Sequence, residues 1–174
     1  MKNKDQILLE EAYIKILTEQ TQTNKIQIFA DGRGSDFAEK YTGTTVSIPI
    51  DSMLANEPIK DKSYMETSEN TKNMIASINK GQKLPPIKVI SHPYDARKNV
   101  VVDGNHRMYA FQKSNVEEVE VIKIPHKDVI LMKSDYGRPE EYLGTLDKFA
   151  NNKKIVDKYF VKPDGTNTFM EYIR

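Results

Sequence analysis

Asn99-Val100-Val101-Val102-Asp103-Gly104-Asn105-His106-Arg107-Met108-Tyr109-Ala110-Phe111 reads as a buried strand, a glycine turn and a helix that opens on polar residues. Val100-Val101-Val102 is a short β-branched run closed by the turn pair Asp103-Gly104. Asn105 is a candidate N-cap, and Met108 and Phe111, three apart, share a helix face. A strand-to-helix bend of this kind leaves backbone N–H groups unpaired at the positive end of the helix dipole. Such a place suits an anion, above all a phosphate. His106 and Arg107 fall in that first turn, where the dipole opposes a cation, and a bound negative group would account for their presence.

The 174 residues suffice for one domain with a sizeable core. At 38% hydrophobic and 29% charged residues, the chain is that of a folded protein with a large polar surface. A net charge of +1 provides no global field toward nucleic acid or membrane. With no cysteine, disulfides, thiolate metal sites and cysteine nucleophiles are excluded. The first residues lack a signal-peptide apolar run and no segment is long enough to span a bilayer, so no membrane partner and a cytoplasmic location are expected.

Residues 5 to 19 predict an amphipathic helix through Ile7, Leu8, Leu9, Ala12, Tyr13, Ile16 and Leu17, packing on the main domain or pairing a homodimer. Asp31-Gly32-Arg33-Gly34-Ser35-Asp36 lacks the lysine and spacing of a Walker loop and reads as a surface turn after a short strand at 26 to 29. Val46, Ile48 and Ile50 give a strand of period two, which Pro49 places near an edge. Asp51-Ser52 then caps a short turn at Met53-Leu54, and 57 to 70 reads as a polar loop. A helix over 70 to 80 turns Met74, Ile75 and Ile78 inward and ends on Gly81. The strand Leu84-Pro85-Pro86-Ile87-Lys88-Val89-Ile90 pairs with the valine strand as a hairpin, with Lys88 a solvated edge residue. Asn115 takes the left-handed position after the helix that ends near Lys113, and 118 to 124 is a strand stopped by Pro125. Beyond, Val129 to Met132 fits strand or helix. Tyr142, Leu143, Leu146, Phe149 and Ala150 predict a helix begun at Pro139, and Ile155, Tyr159 and Phe160 another.

This order of pieces resembles the ParB/sulfiredoxin superfamily in its ParB N-terminal-like form. Val46-Ser47-Ile48-Pro49-Ile50-Asp51, the helix with Ile75 and Ile78, the Pro-Pro-Ile strand and Asp103-Gly104-Asn105-His106-Arg107 carry the resemblance over roughly residues 45 to 125. It implies an α+β fold: a small mixed β-sheet flanked by helices, with an N-terminal helix and connector (1–44), a nucleotide-binding core (45–125) and a helical C-terminal extension (126–174). In sulfiredoxins the matching loop cradles ATP phosphates beside an attacking cysteine; Asn105 holds that position here, so that chemistry is excluded. In ParB proteins the loop binds CTP, and the residues after Pro125 are too few for both a helix-turn-helix and a dimer domain. Other relatives resemble free-serine kinases, nucleases and small plasmid ATPases.

The resemblance implies nucleotide contacts from Asp103, Gly104, Asn105, His106 and Arg107. Lys72, Asn73 and Ser77 lie on the helix that contributes contacts in sulfiredoxins. Asp103 shapes the turn, orients His106 or holds Mg2+ as the cofactor, a hard cation that takes carboxylate and phosphate oxygens. Asp51, with His106, is the candidate catalytic pair, as a base in phosphoryl transfer; its rival readings are a helix cap for Asp51 itself and Glu57 as the base. The expected function is binding of ATP or CTP, with cleavage or transfer of a phosphoryl group. The alternatives are a nucleic-acid-binding protein or nuclease of phage or plasmid origin, to which the small Lys153-Lys154-Lys158 patch lends weak support, and a non-catalytic interaction module.

Overall fold

The valine run belongs to the longest strand of a computed structural model that describes residues 25–29, 37–56, 62–133 and 141–166. In chain order the elements are β1 (Ile26–Phe29), α1 (Phe37–Lys40), β2 (Thr45–Pro49), a 3-10 turn over Ile50–Ser52, β3 (Met53–Ala55), α2 (Lys62–Thr67) and α3 (Glu69–Asn79). There follow β4 (Ile87–His92), β5 (Asp95–Asp103), α4 (Asn105–Lys113), β6 (Glu118–Lys123), a 3-10 turn over His126–Asp128, β7 (Val129–Lys133), β8 (Glu141–Thr145), α5 (Leu146–Phe149) and α6 (Lys153–Val156).

Two mixed sheets and their flanking helices make an α+β fold. The larger sheet has five strands in the order β2-β6-β4-β5-β3, and the smaller three in the order β1-β7-β8. β4 and β5 form the expected hairpin around Pro93-Tyr94, while β4 runs parallel to β6 and β3 parallel to β5. β4 is central, and Ile87, Lys88, Val89 and Ile90 are all buried, the signature of a strand covered on both faces. The alternation sorts its residues. Ile87, Val89 and Val101 face a core with Met108 of α4, while Ile90 and Val100 face a second core with Ile28 of β1, Leu131 of β7 and Phe160. α3 packs on α4, so helices cover one face and the smaller sheet with residues 156–161 covers the other.

Buried polar side chains fasten that second layer. Asn56 donates to the Tyr159 carbonyl (3.2 Å) and accepts from the Val161 N–H (3.1 Å). His92 Nε2 lies 2.9 Å from the Val161 carbonyl, which can only accept, so this nitrogen carries the proton. Burial pushes the His92 pKa down and holds the ring neutral.

Helix ends follow local chemistry. Gly81 (φ 73) and Asn115 (φ 53) are left-handed, as expected. Each closes the same double bond pattern: Gly81 N–H to Ile78 with Gln82 N–H to Ser77, and Asn115 N–H to Gln112 with Val116 N–H to Phe111. Pro49 does sit on an edge strand, and Val129 to Met132 is strand, paired parallel with β1.

Several expectations are corrected. Gly104, not Asn105, is the N-cap of α4. Met53-Leu54 is strand rather than turn, because the open edge of β5 offers it a parallel ladder that three residues of sequence cannot announce. Residues 62 to 67 are helical, not loop. Tyr142 and Leu143 belong to β8, since Gly144 (φ 149) breaks the helical pattern and β7 supplies a partner, so the helix shrinks to Leu146–Phe149. The C-terminal extension is therefore strand and helix together. The helix at 5 to 19, the turn at 31 to 36, Glu57 and Pro139 lie outside the described residues.

Ile90→Ala empties a site that is 0% exposed between the two layers. Chemical denaturation should show a loss of roughly 2–5 kcal/mol, against less than about 0.5 kcal/mol for Val46→Ala at a position 41% exposed. Tyr41 donates to Asp128 Oδ2 at 2.8 Å, and burial, reinforced by that bond, pushes its pKa up to about 12. The folded state thus favours the neutral phenol: this contribution is whole below the unfolded value of about 10 and is lost as pH rises through 12. The wild type should lose more stability across that window than Tyr41→Phe.

Candidate anion-binding site

β5 ends on Asp103, and the chain must then turn sharply into α4. Gly104 makes the turn at φ 108, ψ 28, a left-handed conformation that favours glycine. Space enforces the same choice, because a Cβ here would lie 3.0–3.1 Å from the Arg107 guanidinium atoms. The first intrahelical bond of α4 runs from Met108 N–H to the Gly104 carbonyl at 2.8 Å. The N–H groups of Asn105, His106 and Arg107 stand ahead of that ladder at the positive end of a nine-residue helix.

The charged side chains below the turn are tied together. Arg107 donates through Nη1 to the carbonyls of Pro85 (3.0 Å) and Pro86 (2.8 Å), and through Nη2 to Asp103 Oδ2 (2.9 Å). Lys88, opposite Asp103 in the β4–β5 register, brings Nζ to 3.8 Å from the same oxygen and donates to the Glu39 carbonyl. Lys88 is only 7% exposed, contrary to the solvated edge residue expected, because β4 is central. Burial pushes its pKa down, and the Asp103 carboxylate pulls the other way. Lys88 and Arg107 thus lie against the Asp103 carboxylate beside the helix start, and the Glu39 carboxylate also acts on Lys88.

His106 is held by a residue that sequence reasoning missed. Its Nδ1 lies 2.9 Å from Thr71 Oγ1, and Thr71, on α3, is 1% exposed. Thr71, Met74, Ile75 and Ile78 follow the i, i+3, i+4, i+7 stripe, so a polar residue heading an apolar face was the available signal. Lys72 and Asn73 are exposed and Ser77 half-buried; Thr71 is the α3 side chain bonded at the loop. His106 Nε2 has no protein partner among the described residues, and the Tyr64 ring stands edge-on to the imidazole at 5.9 Å. The Asn105 Oδ1 atom is buried without a hydrogen-bond partner among the described residues.

Asp103, Gly104, Asn105, His106 and Arg107 thus share one turn, but Asp51 does not join them. It is exposed on the 3-10 turn before β3, with its carbonyl 3.3 Å from Lys98 Nζ. Met53 pairs with Asn99, so Asp51 lies beyond the far end of a strand segment of roughly 13 Å leading to Asp103. Lys88 and Arg107 share the Oδ2 atom of Asp103. Among the described residues no group of three metal-binding side chains converges.

No family model matches the chain, and no curated protein matches it. Solved structures do. The C-terminally truncated chromosome-partitioning protein ParB from Caulobacter crescentus, complexed with CTP-gamma-S, is 23% identical, with a TM-score of 0.41, over 48% of this chain and 45% of its own. A conserved hypothetical protein from Pyrococcus furiosus is 20% identical (TM-score 0.40), over 50% of this chain and 34% of its own. Sulfiredoxin from Arabidopsis thaliana is 22% identical (TM-score 0.35), over 48% of this chain and 86% of its own. The chain spans less than half the length of the first two.

Arg107 is a strut, so its replacement should matter without any ligand. Arg107→Lys, one point charge in place of a planar fork, strands at least one carbonyl and should cost roughly 1–3 kcal/mol in urea denaturation of the ligand-free chain. An unchanged midpoint would show that the guanidinium is free of this duty.

Proposed function

We propose that this chain binds the phosphates of a nucleoside triphosphate, ATP or CTP, at the Asp103–Arg107 turn. The observation that carries the reading is the α4 start itself: three N–H groups ahead of the helical ladder, with the Lys88–Asp103–Arg107 cluster beside them. His106, fixed through Nδ1 by Thr71, has Nε2 left to donate to a phosphate oxygen. Arg107 contributes charge and rigidity, since its Nη1 and Nη2 already serve protein acceptors.

The proposal is one of binding. Asp51 is too far along β5 to act on a phosphate held here, and Asp103 is engaged by two cations, so no base is assigned and no step runs through magnesium.

A thermal-shift panel of ATP, CTP and inorganic triphosphate, with and without magnesium, tests it. A ligand at about 100 times its Kd adds about 2.7 kcal/mol, which for a chain of this size is a melting-temperature rise of roughly 5–10 °C. His106→Ala should shrink the rise, read against the variant's own ligand-free transition, which the buried Thr71 hydroxyl left without its partner lowers. If none of the three compounds moves the transition, the proposal fails.

A further inference from the structure

We infer that Tyr64 is the platform on which the base of the bound nucleotide stacks, so that it sets the preference for a nucleotide over an unadorned polyphosphate. The inference rests on the phosphate reading of the Asp103–Arg107 turn and adds the other half of the ligand to it.

Tyr64 is 62% exposed, one of three large apolar side chains among the described residues that face solvent, with Val46 and Tyr142. Those two lie on β2 and β8, away from the turn; Tyr64 stands 5.9 Å from the His106 imidazole. An isolated exposed aromatic is ordinary on a protein surface, so it is the position of this one, against His106, that matters. α2 is clamped onto α4 on both sides of Met65, which is buried. Successive helical residues diverge by about 100°, so Tyr64 and Glu66 straddle Met65 and reach α4 at two points. Glu66 accepts from Tyr109 Oη (3.0 Å) and Lys113 Nζ (3.4 Å), while Tyr64 meets His106. The edge-on contact with the imidazole sets the ring beside the turn. A phosphate held by the His106 Nε2 side of the ring leaves its nucleoside beside an exposed aromatic. Every base has a π-face to lay on such a ring, so the contact tolerates several bases.

Calorimetric titration of the full chain with ATP, CTP and inorganic triphosphate separates the two layers of the argument. Tyr64→Ala should weaken both nucleotides roughly tenfold while leaving triphosphate unchanged, and Tyr64→Phe, which keeps the ring, should restore nucleotide affinity. Equal losses for nucleotides and triphosphate, no loss at all, or a Tyr64→Phe variant as weak as Tyr64→Ala would overturn the stacking role. So would a wild type that binds triphosphate as tightly as nucleotides, though the phosphate site would then survive. A wild type that binds none of the three ends both readings.

Discussion

One guanidinium joins the parts that meet at the candidate site. Pro85 and Pro86 have no N–H, so the approach to β4 cannot donate to a ladder at those residues, yet their carbonyls still need donors. Arg107 supplies them from the first turn of α4 and at the same time holds the Asp103 carboxylate at the end of β5. Three chain segments are thereby locked at one point. The fork geometry matters as much as the charge, because a single ammonium could not serve three acceptors so spread.

The strut also dictates what surrounds it. A Cβ on Gly104 would crowd the guanidinium at 3.0–3.1 Å, and the left-handed backbone of the strand-to-helix turn favours glycine as well. Lys88, buried opposite Asp103, would be a costly lone cation without that carboxylate and the Glu39 carbonyl. The outcome is a charged cluster whose polar groups are internally bonded, beside a helix start whose N–H groups are not. The positive end of the helix dipole is what an anion would meet there.

Stiffness comes from the layering. Ile90 and Val100 on one face and Val89 and Val101 on the other anchor β4 and β5 in two cores at once, so the Asp103 end of the hairpin has little freedom to shift. α3 and α2 then complete the site from outside, Thr71 by fixing the imidazole and Tyr64 by flanking it. The smaller sheet stands behind this frame together with residues 156–161, whose backbone at Tyr159 and Val161 is fastened to the larger sheet by Asn56 and His92.

The features legible in the sequence were those decided within a few residues. The valine strand, the β4–β5 hairpin, the span of α4, and the left-handed Gly81 and Asn115 all follow from β-branching, turn chemistry and capping, which act locally. The turn from Asp103 to Arg107 was visible for the same reason, and the structure keeps those five residues together. What tertiary structure alone decided was the choice of partners. Met53–Ala55 became a strand because β5 had an open edge, and Tyr142-Leu143 because β7 did. Lys88 went inside because β4 took the centre of the sheet, Asp51 went to the far end because β3 runs parallel to β5, and Arg107 found carbonyls instead of solvent. Local propensity sets which pieces form; which groups then neutralise one another depends on contacts between segments far apart in the chain, and no periodicity encodes those distances.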